Sequence, residues 1–129
     1  MGRAVRDAMT REELQERTLE FSLAVYTFIK PLFRQVETRL VAEQLFGSSS
    51  SVASNYRAAC LARSDREWIA KLGVVREEAD ESVHWLLFIQ RAGIAGDRRS
   101  AGEALLDEAR QLTRIFVSAY CTSRDRDKD

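Results

Sequence analysis

One histidine and two cysteines limit the metal chemistry that this sequence could support. Glu81 and His84 have the E-x-x-H spacing that di-iron helical bundles use for their ligands. Such a site also needs a second E-x-x-H pair and two further glutamates, and the chain has no second histidine. Cys60 and Cys121 are far apart and form no C-x-x-C motif, so a zinc site lacks ligands. We predict no metal site and no cofactor.

The many serines do not form a recognisable catalytic set. A serine nucleophile needs a histidine base and a third group that orients this base, and the sequence has one histidine and no nucleophile-elbow motif. It also has no glycine-rich phosphate loop. We therefore predict no catalytic residues and a protein that is not an enzyme. A pocket formed only between subunits is the one catalytic arrangement that the sequence leaves open.

A basic block is followed by an acidic block near the middle of the chain. The basic residues are candidates for contacts with nucleic-acid phosphates: Arg57, Arg63, Arg66 and Lys71. The acidic residues are Glu77, Glu78, Asp80 and Glu81. Either the two blocks form an ion-pair network that fixes the register of two helices, or the basic block is a phosphate-binding patch repeated around an oligomer. The whole chain has 20 basic and 20 acidic residues, which argues against a strongly basic nucleic-acid-binding protein.

Three S/T-x-x-E motifs predict where helices begin. Thr10, Ser64 and Ser100 are each followed by a glutamate three residues later, which is the pattern of a capping box. Apolar residues recur every three or four positions after each motif, as they do in amphipathic helices. Pro31 predicts that the first helix ends just before it, because proline disfavours helical geometry in the preceding residue. Gly93 predicts a left-handed turn at the end of the third helix.

The segment FGSSSSVASNYRAACLARS, residues 46–64, is either a loop or the middle of a helix with an unusually small face. Helical spacing continues through it at Val41, Leu45, Ser48, Val52, Tyr56 and Ala59. We predict one continuous helix of roughly 25 residues; the alternative is a break that gives five shorter helices. Asn55 lies in this helix, and we expect a structural role in which its amide pairs across the bundle or at a subunit contact.

Four amphipathic helices with short connections predict an all-α protein, an antiparallel up-down four-helix bundle. We assign one domain to residues 1–123 and a charged, mobile tail to residues 124–129. No apolar run is long enough to span a bilayer, and the charged N-terminus has no signal-peptide core. We therefore expect a cytoplasmic protein that does not enter the membrane.

The first helix carries a second apolar stripe, which includes Leu19, Leu23 and Tyr26. This is more apolar surface than a helix with one covered side needs, and oligomerisation would cover it. We predict a homo-oligomer. The candidate interface residues are Tyr26, Phe33 and the small face near Ser48.

Three segments carry a family resemblance: SVASNYRAAC at residues 51–60, ARS at 62–64 and EADE at 78–81. They resemble the bacterial four helix bundle protein family, whose members are encoded within intervening sequences of 23S rRNA genes. The chain is also similar to the accessory protein of diversity-generating retroelements. The resemblance covers about residues 14–122 and implies an up-down bundle that assembles into a ring-like homopentamer. Ala58 departs from the family, which often has glutamate after the arginine of this signature.

The resemblance implies little chemistry, although the retroelement relatives are associated with binding a reverse transcriptase and nucleic acid through a basic surface. We therefore expect a non-enzymatic oligomeric scaffold whose leading candidate partner is structured RNA or an RNA-handling protein. The alternative is a protein-interaction or regulatory module without affinity for nucleic acid, which the zero net charge favours. A helix-turn-helix over residues 54–75 is a weaker alternative, because the bundle core needs Trp68 and Leu72.

Overall fold

The computed structural model describes residues 9–128, and four long helices make up most of this part of the chain. The helices are α1 (Arg11–Ile29), α2 (Val36–Cys60), α3 (Asp65–Ala92) and α4 (Arg99–Lys128). Two short 3-10 segments, Lys30–Arg34 and Gly96–Arg98, connect α1 to α2 and α3 to α4. Residues 9–128 contain no strand. The prediction of an all-α protein with four helices is confirmed.

Two of the three predicted helix caps are present. Thr10 forms a complete capping box, since its hydroxyl accepts from the Glu13 amide at 3.0 Å and its own amide donates to the Glu13 carboxylate at 2.8 Å. The Ser64 hydroxyl accepts from the Glu67 amide at 3.1 Å. The predicted cap at Ser100 is wrong, because Ser100 lies inside α4. The 3-10 segment Gly96–Arg98 leads directly into this helix, so its first turn begins before Ser100.

Helix α2 continues through the four serines without a break, so the prediction of one long helix is confirmed and the five-helix alternative is excluded. The side chains of Ser48, Ser49 and Ser50 donate to the carbonyls three residues back, at 3.1 to 3.2 Å. This local pairing satisfies the hydroxyls inside the helix. The Ser48 and Ser82 hydroxyl oxygens are 2.9 Å apart, and the hydrogen bond between them joins α2 to α3 in the core.

The core extends along the whole bundle and draws on every long helix. Its fully buried large side chains include Val25, Ile29, Leu45, Val52, Leu72, Val75, Leu86, Ile89, Leu112 and Phe116. Tyr56 packs against the Trp68 and Phe116 rings, with centroids 6.3 and 5.2 Å away. Helices α1 and α4 are the least closely packed pair of neighbouring helices, and a groove of about 590 Å³ lies between them.

The ends of the helices follow the predicted signals where a glycine or proline sets them. Gly93 has φ of 68°, and the Ile94 amide donates to the Ile89 carbonyl at 3.1 Å, which completes a Schellman motif. Pro31 lies in the 3-10 segment that follows α1. Helix α4 continues to Lys128, so residues 124–128 are helical. The mobility of this charged segment stays a prediction.

Among the helices that the structure describes, none has both the length and the apolar character that a membrane span requires.

Candidate functional site

One end of the bundle contains an open cavity of about 580 Å³, which we call the end cavity. It lies where the start of α1, the connection from α2 to α3 and the end of α4 meet. The charged residues in its lining are Arg11, Arg63, Asp65, Arg126 and Asp127. Three arginines from three different elements therefore converge on one space.

Local structure explains how these residues reach the same end. The Thr10 cap fixes the first turn of α1, and Arg11 is its first residue. Helix α2 ends at Cys60, and the Ser64 cap starts α3, so Arg63 lies in the connection between them. An even number of antiparallel helices brings the start of the first and the end of the last to the same side as this connection.

Trp68 connects the three elements around the end cavity. Its indole N–H donates to the Ser123 hydroxyl of α4 at 3.0 Å. The Arg11 guanidinium of α1 lies 4.3 Å from the centre of the Trp68 ring, which is a cation–π contact. On the core side, Trp68 packs edge-on against Tyr56. Tyr56 is buried there, and this burial raises the pKa of its hydroxyl. Trp68 and the fully buried Leu72 thus anchor the start of α3 in the bundle, which leaves it unsuited to act as a recognition helix.

The structure disperses the four predicted phosphate-binding residues. Of these, only Arg63 lines the end cavity. Arg66 and Arg57 are exposed, and Lys71 is half-buried; none of the three contributes to the lining. Their role in nucleic-acid binding stays a prediction.

Sequence reasoning missed Arg11 and Arg126 because they lie near opposite ends of the chain. No local motif connects them with Arg63. Counting the helices would have placed all three at one end of an up-down bundle, so the topology was the signal that could have found them.

The acidic block does not form the proposed ion-pair network with Arg57. Within residues 9–128, no ion pair joins any residue of the basic block to any residue of the acidic block, Glu77 included. Ser48 lies opposite Ser82, and in this antiparallel register Arg57 lies beyond the end of the acidic block. Burial, and then the charges of Glu81 and Glu77, raise the pKa of Glu78. These carboxylates repel one another instead of being neutralised.

Asn55 has a different partner from the one expected. Its side-chain amide donates to the Ser51 carbonyl of the same helix at 3.0 Å, instead of pairing across the bundle. The residue has a structural hydrogen bond, but this bond is local because its acceptor lies only one turn back on α2.

An apolar face covers the outer side of α1 and part of α2. We define this outer apolar face by Leu19, Leu23, Tyr26 and Phe46, which are between 39% and 49% exposed. The Tyr26 and Phe46 rings are 6.0 Å apart, so the face is continuous from one helix to the other. Phe33, in the 3-10 segment after α1, is 40% exposed. Tyr26 and Phe33 are therefore accessible to a second chain, and their interface role stays a prediction.

The interface role predicted for Ser48 is corrected. Ser48 is only 1% exposed and pairs with Ser82 inside the same subunit. A side chain enclosed by its own helices has no surface to offer a second chain. The small face of α2 thus serves the approach of α3.

The residues considered for metal chemistry are dispersed. Across residues 9–128, no group of three or more His, Cys, Asp or Glu side chains could hold a metal ion. His84 is exposed, and its ring packs edge-on against Trp85 at 4.7 Å. Cys60 and Cys121 are free, half-buried thiols.

Comparison with known proteins shows the fold but not the family. No family model matches the chain, and no curated protein matches it either. The chain is similar to a crystal structure from Bacteroides thetaiotaomicron, a protein with unknown function from the S23 ribosomal protein family. The two share 24% sequence identity with a TM-score of 0.74, over 82% of this chain and 96% of the other. At this identity the likeness supports the four-helix architecture alone.

Proposed function

We propose that this chain is the subunit of a homo-oligomeric, non-enzymatic scaffold that acts by binding a partner. The outer apolar face is the observation that carries this proposal. Four large apolar side chains lie next to one another on α1 and α2, and each is at least 39% exposed. Removing apolar surface from water is favourable by roughly 25 cal/mol per Å², and part of this gain offsets the entropy that two chains lose on association. A second copy of the chain is the occupant that we propose for this face.

The outer apolar face would form only the centre of a subunit interface. A stable protein interface buries roughly 800 Å² on each partner. Leu19, Leu23, Tyr26 and Phe46 would form the apolar centre of such an interface, with polar residues of α1 and α2 around them. The family resemblance implies five copies in a ring, and a closed ring requires this face to contact a different surface on the next subunit.

Structured RNA, or a protein that handles RNA, is the leading candidate partner. Arg57, Arg63 and Arg66 are exposed, so their guanidinium groups could reach phosphates without rearrangement. A ring repeats each weak patch, and multivalency then raises the overall affinity. The second candidate function, a protein-interaction module without affinity for nucleic acid, is favoured by the zero net charge.

The test is the mass of the purified chain by size-exclusion chromatography with light scattering, with absorbance recorded at 260 and 280 nm. We expect an oligomer, with five chains as the specific expectation. The double variant Leu23→Glu/Tyr26→Glu should be monomeric, because two charges cannot be buried in an apolar interface. Leu61→Glu is the matched control, since Leu61 is apolar and 76% exposed but lies in the connection after α2. A monomeric unmodified chain would overturn the proposal.

A further inference from the structure

We propose that the end cavity binds a phosphate group, held by Arg11, Arg63 and Arg126. The cavity is built within one chain. The inference therefore goes beyond the proposed assembly, and it applies to a monomer as well as to an oligomer.

The charges around the cavity favour an anion. Three arginines and two aspartates line it, so the lining has a net charge of plus one. Arginine presents a planar fork of N–H donors that matches two phosphate oxygens at once. Asp65 lies in the first turn of α3, where its charge is compensated in part by the positive end of the helix dipole.

Two of the polar groups, Arg11 and Ser123, are held by Trp68 before any ligand arrives. The Trp68 ring holds the Arg11 guanidinium at the cavity edge, 4.3 Å from the ring centre. The Ser123 hydroxyl accepts a hydrogen bond from Trp68, and its own hydrogen remains available to donate. Of the three arginines, Arg11 is therefore the one held in place, and a donor that is already held loses little conformational entropy on binding.

Arg63 is free to turn toward a ligand. Its side chain is 89% exposed, and its only ion pair among the described residues is a 3.4 Å contact with Glu67, one turn along. Such exposed pairs contribute less than about 1 kcal/mol, so exchanging Glu67 for a phosphate costs little. Ser64 and Asp65, at the start of the 28-residue helix α3, also line the cavity, so the positive end of this helix dipole lies at its edge.

The volume fits a nucleotide-sized ligand. Small-molecule sites commonly measure roughly 300 to 1,000 Å³, and the end cavity has about 580 Å³. The phosphate could belong to a free nucleotide or to a nucleic-acid strand. Both sources present the same group to the three arginines, so the experiment has to distinguish them.

The test is isothermal titration calorimetry on the full chain with four probes: inorganic phosphate, adenosine monophosphate, and a short single-stranded RNA with and without a 5′-phosphate. Arg63→Gln/Arg126→Gln should weaken binding by about tenfold for each arginine removed. Arg91→Gln/Arg110→Gln removes the same charge from exposed sites on α3 and α4 that do not line the cavity, and it should bind as the unmodified chain does. Circular dichroism checks that all variants keep their helicity.

An opposite change provides an independent check. Asp127→Asn removes a carboxylate from the lining and should tighten phosphate binding by about threefold. Affinity for every probe should fall as salt rises.

The probes also identify the source of the phosphate. Binding of adenosine monophosphate alone indicates a free nucleotide, and equal binding of both RNAs indicates backbone phosphates. Absence of binding to all four probes, or unchanged binding by Arg63→Gln/Arg126→Gln, would overturn the inference. Leu23→Glu/Tyr26→Glu should still bind phosphate, which separates failure of the cavity from failure of the assembly.

Discussion

Two contacts between neighbouring helices in this bundle contrast in their packing. Between α2 and α3, serines face each other, and the Ser48 and Ser82 hydroxyls are 2.9 Å apart and fully buried. Between α1 and α4, the helices pack loosely, and a groove of about 590 Å³ remains, with Phe21, Phe28 and Leu105 in its lining. An ion pair from Arg17 to Glu108, at 2.7 Å, bridges this groove.

The difference shows how side-chain size sets what kind of polar contact two helices can make. Small side chains let α2 and α3 approach until a dry hydroxyl pair forms. Where Phe28 lies between α1 and α4, even the bare backbone of Gly102 is close to its ring, since an added Cβ would be 3.1 Å away. Nearer the start of α1, away from Phe28, the longer side chains of Arg17 and Glu108 connect the two helices and stay partly in contact with water.

The largest expected effect comes from placing a larger side chain at the close contact, where Ser48 of α2 meets Ser82 of α3. Ser48→Leu should lower the free energy of unfolding by about 3 kcal/mol, because it overpacks the core and removes the hydrogen bond between α2 and α3. Denaturant unfolding followed by circular dichroism measures this loss. Ser54→Leu, on the exposed side of α2, is the matched control and should change stability by less than about 0.5 kcal/mol. Equal stability of both variants would mean that the helices can separate there at no cost.

A smaller effect is expected at the loose contact, where Arg17 of α1 pairs with Glu108 of α4. Arg17→Gln should lower stability by roughly 1 kcal/mol or less, because both partners of the ion pair are only partly buried. The loss should shrink as salt increases, since salt screens partly exposed charges. Unfolding curves at low and high salt test this, and the Ser48→Leu loss should not depend on salt. A loss at Arg17 that is insensitive to salt would contradict the contrast between the two contacts.

The smallest effect concerns the side chain of Glu78. This residue lies at the contact between α2 and α3, where its backbone carbonyl oxygen is 3.0 Å from the Ser82 hydroxyl oxygen. Its raised pKa means that ionisation of the carboxyl costs stability in the folded state. The cost appears as pH rises from the unfolded pKa through the folded pKa, and it is fully present at neutral pH. Glu78→Gln should therefore stabilise the protein by about 0.3 kcal/mol at pH 7, and this gain should vanish at pH 3. Glu77→Gln serves as a comparison at an exposed position, and a loss of stability in Glu78→Gln at pH 7 would refute the repulsion.

Local signals in the sequence predicted most of the fold. The caps at Thr10 and Ser64, the turn at Gly93 and the unbroken phase of α2 depend on residues within one or two turns of each other. Ser100 shows the limit of such signals, because an S-x-x-E motif cannot reveal that a 3-10 segment already precedes it. The ion-pair hypothesis for Arg57 failed because it depends on the register of α2 against α3, in which Ser48 lies opposite Ser82.

The candidate site was less accessible to sequence reasoning. Arg63 stood out within a local basic block, whereas Arg11 and Arg126 become part of the same cavity only through the topology of the bundle. The role of Ser48 was misjudged because a small residue on a helix looks the same whether it faces its own subunit or another. Burial, which depends on the packed structure, decides between the two.

The hydrogen bond from Trp68 to Ser123 has a consequence for kinetics. An indole N–H exchanges with deuterium from solvent only when its hydrogen bond opens, so the Trp68 signal reports how often the end of α4 separates from α3. The indole N–H of Trp85 is buried without a partner among the described residues, so its exchange depends on the access of water and not on the opening of a hydrogen bond. The exchange rate of the Trp68 indole N–H therefore measures the opening of this end of the bundle.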